Sequence, residues 1–427
     1  MGNERTSQTP GNRTGGRPGG APAMLKLAVE AQLPLIGVTT RDTLNLPEIV
    51  HRVTGRKPVD WATGAPAIKS GSLYLHVAAK GVALPHAQLY VKLVKAEATL
   101  LVVNADKPHE LVFEAGEVPV PKKMMLEFMA AVVADPAKAK ALLPALGGCT
   151  IKEAAELVRL TMARDHSLTA AGLMLTRKTV FQGARGLIQV DTAQPCYDPP
   201  PGLKIWLERE RPFFLHCQEP RLVPRGLLFG GPPGTGKTEG AKYVAAGLGV
   251  PLYRIDVGGV KAKWVGESES NMLSALAKLD HEEPCVALFD EVEKIFATKH
   301  GDHSGVTSSL LSQLLWWLAE RRSRVLVVMT TNNVEALPRE LYREGRIDEV
   351  MWFEGLLPTQ AAGFAQRVLA TFPEVNKSGQ ADKAGLAEAV HALWADHPGA
   401  SAAPISQAAV TKLVYGWVKQ AMAKQGG

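Results

Sequence analysis

Residues 231–238 read Gly-Pro-Pro-Gly-Thr-Gly-Lys-Thr. Every fixed position of the pattern G-x-x-x-x-G-K-[ST] is met. Just before it, the apolar run Gly-Leu-Leu-Phe at 226–229 predicts a buried strand. Just after it, residues 239–248 place Ala241, Val244, Ala245 and Leu248 on one face of a predicted helix. Strand, glycine loop and helix in this order predict a phosphate-binding loop. Glycines let backbone N–H groups turn inward around phosphate oxygens, and the new helix points its positive end at the same anion. Gly231, Pro232, Pro233, Gly234, Thr235, Gly236, Lys237, Thr238 and Glu239 are the candidate cradle. Lys237 is placed for the β- and γ-phosphates of a nucleotide and the Thr238 hydroxyl for Mg²⁺. A glycine-rich turn of another kind is the weak alternative, because both flanking elements are in place.

The next strong pattern is Val-Ala-Leu-Phe-Asp-Glu at 286–291. Four apolar residues predict a buried strand with two carboxylates at its carboxyl end, the edge of a parallel sheet where ligands bind. Asp290 is the candidate for holding Mg²⁺, and Glu291 for orienting and polarising an attacking water. The apolar run at 325–329 then ends in Thr-Thr-Asn-Asn at 330–333. Asn332 is the candidate for touching the water or the γ-phosphate, with Thr331 behind it. Arg343 and Arg346, in Arg-Glu-Gly-Arg-Ile-Asp at 343–348, suit a site completed in trans, since a guanidinium stabilises charge developing on a γ-phosphoryl group. By spacing alone the better reading is surface arginines paired with Glu340 or Glu344.

Taken together, these four blocks resemble, in order and spacing, the AAA group of AAA+ ATPases over residues 226–353. The resemblance implies a parallel sheet with a helical lid, Mg-dependent ATP hydrolysis, a sensor role for Asn332, and arginine-finger roles for Arg343 and Arg346 at a neighbouring subunit's ATP. It also implies a homo-oligomeric ring, most often a hexamer. The segment Thr-Arg-Lys-Thr-Val-Phe at 176–181, Asp-Glu-Val-Glu-Lys-Ile-Phe at 290–296 and Gly-Cys-Thr-Ile-Lys-Glu-Ala at 148–154 resemble one subfamily in particular, the AAA ATPases of cyanobacteria and algal plastids known mainly as a conserved plastid reading frame. There the N-terminal half resembles a degenerate AAA module. Residues 100–104, Leu-Leu-Val-Val-Asn, would be its sensor-strand relic and the helices of 122–173 its small lid. No phosphate loop and no Asp-Glu strand precede residue 200, so that half is expected not to hydrolyse ATP. One departure stands out. The lid of the family presents a Gly-Ala pair near adenine, whereas the nearest match here is Gln407-Ala408, so the adenine pocket is expected to be built differently.

The rest of the 427-residue chain sorts by composition. Residues 1–23 are rich in Gly, Pro, Asn, Thr and Arg and are expected to be a disordered tail. Residues 24–121 mix predicted strands (34–39, 72–78, 100–104) with helices (25–31, 87–95). Residues 122–193 turn helical, and Thr150 with Glu153 predicts a capping box. A proline-rich linker occupies 194–205. The α/β domain spans 206–356, with strands at 226–229, 252–256, 286–290, 325–330 and 350–353 separated by helices, which predicts a parallel sheet covered on both faces. A helical lid follows over 357–427. No apolar run approaches bilayer length. Cys149, Cys196, Cys217 and Cys285 are scattered without zinc-site or disulfide spacing, which points to a reducing cytoplasm. A net charge of +6 permits contact with nucleic acid without demanding it.

The segment Lys-Trp-Val-Gly-Glu-Ser-Glu at 263–269 corresponds, by the resemblance, to a loop facing the central pore. There Trp264 and Val265 would grip an extended polypeptide through a flat apolar face. His300, Asp302 and His303 are too closely spaced for a convincing metal site, and their glycine-containing segment reads as a second pore-facing loop. Trp316 and Trp317 read as core and subunit-contact residues. The leading functional expectation is a ring ATPase that remodels or threads a protein or a macromolecular complex. A nucleic-acid loader or remodeller and an ATP-switched assembly scaffold are the alternatives.

Overall fold

The computed structural model describes residues 20–61, 68–78, 84–105, 109–180, 187–193, 196–255, 267–296, 305–343, 345–372, 383–395 and 404–423. They fall into two compact units. One comprises the chain to residue 134 with 149–155, and the other comprises 135–148 and everything from 156 onward.

The first unit holds strands β1 (Leu35–Thr39), β2 (Val59–Asp60), β3 (Leu73–Val77), β4 (Thr99–Val103) and β5 (Phe113–Glu117), ordered β2-β3-β4-β1-β5. All its pairings are parallel. β4, Thr-Leu-Leu-Val-Val, is buried along its whole length, as a central strand covered on both faces must be. β5, Phe-Glu-Ala-Gly-Glu, buries only Ala115. It lacks the apolar run that revealed its neighbours and was not legible beforehand. Helix Gly20–Glu30 buries Leu25, Ala28 and Val29, so residues 20–23, read as the end of a disordered tail, are helical; residues 1–19 of that tail lie outside the described residues. Thr150 and Glu153 form the reciprocal capping box, Glu153 N donating to Thr150 Oγ1 at 3.1 Å and Thr150 N to Glu153 Oε2 at 2.9 Å.

The second unit contains β6 (Leu187–Val190), β7 (Gly226–Gly230), β8 (Leu252–Ile255), β9 (Cys285–Phe289), β10 (Val325–Thr331) and β11 (Glu349–Trp352), ordered β11-β7-β10-β9-β8-β6. Strands β7 to β11 are parallel, and β6 runs antiparallel beside β8. β6 lies in the stretch read as purely helical. Its four residues are too few for a period to show, yet Leu187 and Gln189 are buried in strand alternation. Side chains of β7 divide between two cores, Leu228 joining one and Leu227 and Phe229 the other, so the sheet is covered on both faces. Helix Pro201–His216 begins inside the predicted linker with a proline at its first position. Three helices, Pro358–Ala370, Lys383–Ala395 and Gln407–Ala423, share a separate core built on Phe364, Leu369, Val410 and Val414.

Numbered within each unit, the five parallel strands follow one order. In the second, β7, β8, β9, β10 and β11 stand as 5-1-4-3-2. In the first, β1 to β5 stand as 2-3-4-1-5, the same order read from the other edge. The first unit therefore repeats the topology of the second, as the degenerate-module reading expects. The Thr-Arg-Lys block at 176–178 also acquires a physical role. Arg177, 3% exposed, ion-pairs with Glu282 and donates to Ala145 O at 3.1 Å. Tyr253 Oη donates to the same Glu282 carboxylate at 2.9 Å. Each group of this buried cluster is satisfied by another, as burial of charge requires.

Candidate functional site

β7 lies between β10 and β11, while the chain leaves it for β8 on the far side of β9. That reversal opens a crevice beyond the carboxyl ends of β7 and β10, the position where open α/β sheets bind ligands. The loop that turns there is shaped by glycine. Gly231 has φ +143°, and a Cβ on it would stand 2.2 Å from Phe353 O. Gly234 and Gly236 have φ +77° and +91°. Helix Lys237–Leu248 begins at Gly236 and ends at the left-handed Gly249.

Lys237 is 8% exposed. Its Nζ donates to Gly231 O at 2.7 Å, Pro232 O at 2.7 Å and Asn332 Oδ1 at 2.9 Å. Burial pulls its pKa below the ordinary lysine value, against the opposing pull of Glu293, Asp290 and Glu291. Thr235 Oγ1 donates to Pro232 O at 2.9 Å, which ties the loop together. Thr238 Oγ1 donates to Asp290 Oδ1 at 3.1 Å, and Thr330 Oγ1 to the same oxygen at 2.6 Å. The predicted metal pair, Thr238 and Asp290, is thus in direct contact. A hydroxyl beside a carboxylate is the oxygen donor set that Mg²⁺ accepts, with water and phosphate completing it.

Glu291 follows with φ +53°, a conformation that non-glycine residues adopt rarely and at a cost. Its N–H donates to Thr330 Oγ1 at 2.9 Å, and its carboxylate pairs with Lys294. On the neighbouring strand end, Asn332 donates to Glu293 Oε1 twice, from its backbone N at 3.1 Å and from Nδ2 at 2.9 Å. Thr331, the lesser candidate, is fully buried and turns its hydroxyl to Asn333 O at 3.0 Å.

Two residues of this network, Glu293 and Thr330, were missed by the sequence reading. Glu293 fixes which end of the Asn332 amide faces Lys237. Thr330 grips Asp290 and the Glu291 backbone at once. The available signal was the third acid in Asp-Glu-Val-Glu, two residues past the catalytic candidate. Glu239 lies in the first helical turn, salt-bridged to Lys242 at 2.6 Å.

Arg343 is exposed, and Arg346 is half-buried with its Nη1 donating to the main-chain carbonyl of Glu340. Glu344, Trp264, Val265, His300, Asp302 and His303 lie outside the described residues. Trp317 is buried with its indole N–H on Asp280 at 2.9 Å, whereas Trp316 is 53% exposed. At the lid, Ala408 N donates to Gly234 O at 3.2 Å. Helix Gln407–Ala423 therefore begins directly against the phosphate loop.

A first unit with the same strand order carries a different loop. Between β1 and helix Leu46–Thr54 stand Thr40-Arg41-Asp42-Thr43-Leu44-Asn45, without glycine. Asp42, 3% exposed, accepts from Asn45 Nδ2 at 2.9 Å and from Ile151 N at 2.9 Å. Asn104, at the end of β4, is hydrogen-bonded to both the N–H (2.9 Å) and the C=O (3.0 Å) of Thr40. The Asp42 carboxylate also accepts from the main-chain N–H of Asn45, the last residue of this loop, at 3.2 Å.

Residues 227–355 match the ATPase family associated with various cellular activities (AAA). The chain is 39% identical over 157 residues to the uncharacterized AAA domain-containing protein ycf46 of Guillardia theta, covering 36% of this chain and 31% of that protein. It is 30% identical over 208 residues to the ycf46 protein of Gracilaria tenuistipitata var. liui, covering 46% and 42%. The peroxisomal ATPase PEX6 of Saccharomyces cerevisiae is 34% identical over 132 residues, 30% of this chain and 13% of PEX6. The matched part thus spans less than half the length of these relatives. Among the described residues, no helix is long and apolar enough to cross a membrane.

Proposed function

We propose, from the match of residues 227–355 to the AAA ATPase family, that the chain is a Mg-dependent ATP hydrolase that assembles as a ring, with six copies as the leading number, and remodels or threads a protein or a macromolecular complex. The convergence of Lys237, Asn332, Thr238 and Asp290 at one sheet edge supports this reading more than any other single observation.

In this reading the loop N–H groups and Lys237 bind the β- and γ-phosphates, the incoming oxygens replacing Gly231 O and Pro232 O as partners of the ammonium. Thr238 and Asp290 hold Mg²⁺, which when bound neutralises charge on the phosphate oxygens. Glu291 orients a water and takes up its proton at a carboxylate oxygen, which requires the carboxylate to leave Lys294. Asn332 is kept by Glu293 with its amide oxygen toward Lys237, and so lines the side of the γ-phosphate. Arg343 and Arg346 reach the site of an adjacent copy, a role that the exposure of Arg343 supports. Trp264 and Val265 grip the client. The first unit, with the same strand order but a loop without glycine, serves as a recognition or assembly module without turnover.

The test is a Glu291→Gln chain. It should bind ATP, form the ring and retain client, while phosphate release falls by about 10²-fold or more. Hydrolysis at the wild-type rate by that variant would sink the mechanism.

A further inference from the structure

The ladder between β10 and β9 ends with Met329 beside Phe289, where β9 itself stops. One residue further on, Thr330 continues the contact with groups of its own. Its main-chain oxygen accepts from Val292 N at 2.9 Å. Its hydroxyl lies 2.6 Å from Asp290 Oδ1 and 2.9 Å from Glu291 N. Residues 290, 291 and 292 are thus all held by Thr330, which is 1% exposed.

The direction of each bond follows from the groups. A main-chain N–H can only donate, so the Thr330 oxygen accepts from Glu291, and its single proton is left for the carboxylate. At 2.6 Å that second bond has the short length of a hydroxyl on a charged oxygen. Two bonds run in one direction through one oxygen atom, and each polarises the other. Thr238 donates to the same Asp290 Oδ1, and among the described residues Oδ2 accepts no hydrogen bond. The carboxylate is therefore gripped by one oxygen and keeps the other open to a cation. Glu291 meanwhile stands at φ +53°. A non-glycine residue stays in that region only where its surroundings impose it, and the Thr330 hydroxyl is the acceptor for its N–H.

The fold alone does not ask for this hydroxyl. Thr330 pairs with Phe229 of β7 through its main chain, and any β-branched side chain suits a strand. Valine would fill nearly the same volume. What valine lacks is the one atom that reaches Asp290 and Glu291. We propose that Thr330 is a positioning residue, an assignment that rests on the ATPase reading: its hydroxyl orients the Asp290 carboxylate for Mg²⁺ and fixes the left-handed turn that presents Glu291. One atom thereby sets the metal site and the water-orienting carboxylate together.

The experiment compares the full chain with its Thr330→Val, Thr330→Ala and Thr330→Ser variants, each checked for folding by its melting temperature. Calorimetry with the non-hydrolysable β,γ-imido analogue of ATP, in EDTA and in excess Mg²⁺, measures how much the metal tightens binding without any turnover. In the valine and alanine variants that gain should shrink about tenfold, and kcat should fall by about tenfold or more, the effect of losing a partner that orients a metal ligand. Affinity in EDTA should stay at the wild-type value. Hydrogen exchange of the metal-free chain, read on peptides spanning 289–293, should quicken in both variants. Serine keeps the hydroxyl and should restore all three readouts to within about threefold of wild type. A serine variant as impaired as valine overturns the role, and so does a wild-type magnesium gain in valine and alanine. Valine and alanine variants that both fail to fold, or that lose affinity equally with and without Mg²⁺, overturn it too, by showing that Thr330 serves the fold. Each of these results leaves the ATPase reading standing, whereas a wild type that takes up no analogue overturns that reading and this assignment together.

Discussion

Lys237 Nζ lies 2.9 Å from Asn332 Oδ1, across 95 residues of sequence. The contact exists because β7 and β10 are neighbours in register, Gly230 beside Thr331, so that the phosphate loop and the polar strand end leave the sheet side by side. An amide in that position can report on a γ-phosphate without holding it. Asn332→Ala should accordingly leave ATP affinity within about threefold of wild type and lower turnover by about 10²-fold, the size of effect seen when one well-placed polar group is removed. Calorimetry and steady-state phosphate release separate the two quantities.

Glu293 acts one step further out, through Asn332. Its Oε1 takes both N–H groups of that residue, and without it the amide is free to turn its nitrogen toward Lys237. Glu293→Leu should reduce kcat about tenfold with little change in KM, as loss of an orienting partner does. Glu293→Gln keeps an acceptor oxygen and should recover most of the rate. A fall shared equally by both variants, with a lowered melting temperature, would mean that Glu293 serves the fold and not the sensor.

The domain that matches the AAA family was legible because its signals are local and redundant. A glycine loop, an acid-tipped apolar strand and a polar-tipped one each announce their place in a parallel sheet. What escaped was whatever depends on a partner distant in sequence. Glu293 sits in the block 290–296 without a role until Asn332 is placed beside it. β5 and β6 bury too few apolar residues to show a period, and their strand character comes from the neighbours they pair with. The departure at Gln407 was visible as a letter, but its hydrogen bond to the main-chain carbonyl of Asp198, 209 residues away, was not.

In the first unit, the Asp42 carboxylate accepts from Asn45 within its own loop and from Ile151 N beyond it, and no glycine opens that loop to an anion. The full chain should therefore bind one ATP per copy, and Lys237→Ala should bind none. Two sites per chain by calorimetry would show that the first unit still takes nucleotide. Asp42→Ala leaves buried donors without a partner and should cost about 2 kcal/mol of stability or more, read by urea unfolding.

A stacked histidine pair in the first unit predicts a pH dependence of stability. His86 stacks on His109 with ring centroids 4.1 Å apart. Burial and then the charge of His109 hold the His86 pKa below its ordinary value. A histidine depressed in the fold is protonated more readily when unfolded. Its contribution to stability is full above the unfolded value of about 6.5 and is lost as pH falls through the folded one. Melting of the full chain should drop more steeply between pH 7 and pH 5 in wild type than in His86→Gln. Parallel curves would show that the stacked pair does not govern acid sensitivity.

The trans assignment of Arg343 yields to a mixing experiment. A copy with Lys237→Ala cannot bind ATP, but it still offers its arginine to a neighbour. A copy with Arg343→Ala binds ATP, but it fails its neighbour. Each homogeneous ring should lose turnover by about 10³-fold, the scale of an arginine finger. In a mixed ring, some interfaces pair an intact phosphate loop from the Arg343→Ala copy with an intact arginine from the Lys237→Ala copy, and those sites are whole. Mixed and reannealed chains should therefore regain a measurable fraction of the wild-type rate. An arginine acting within its own chain can never be complemented in this way, because every copy then carries a damaged site. A mixture as inactive as its parts, with exchange of copies verified by size and labelling, would place Arg343 in the site of its own chain or outside catalysis altogether.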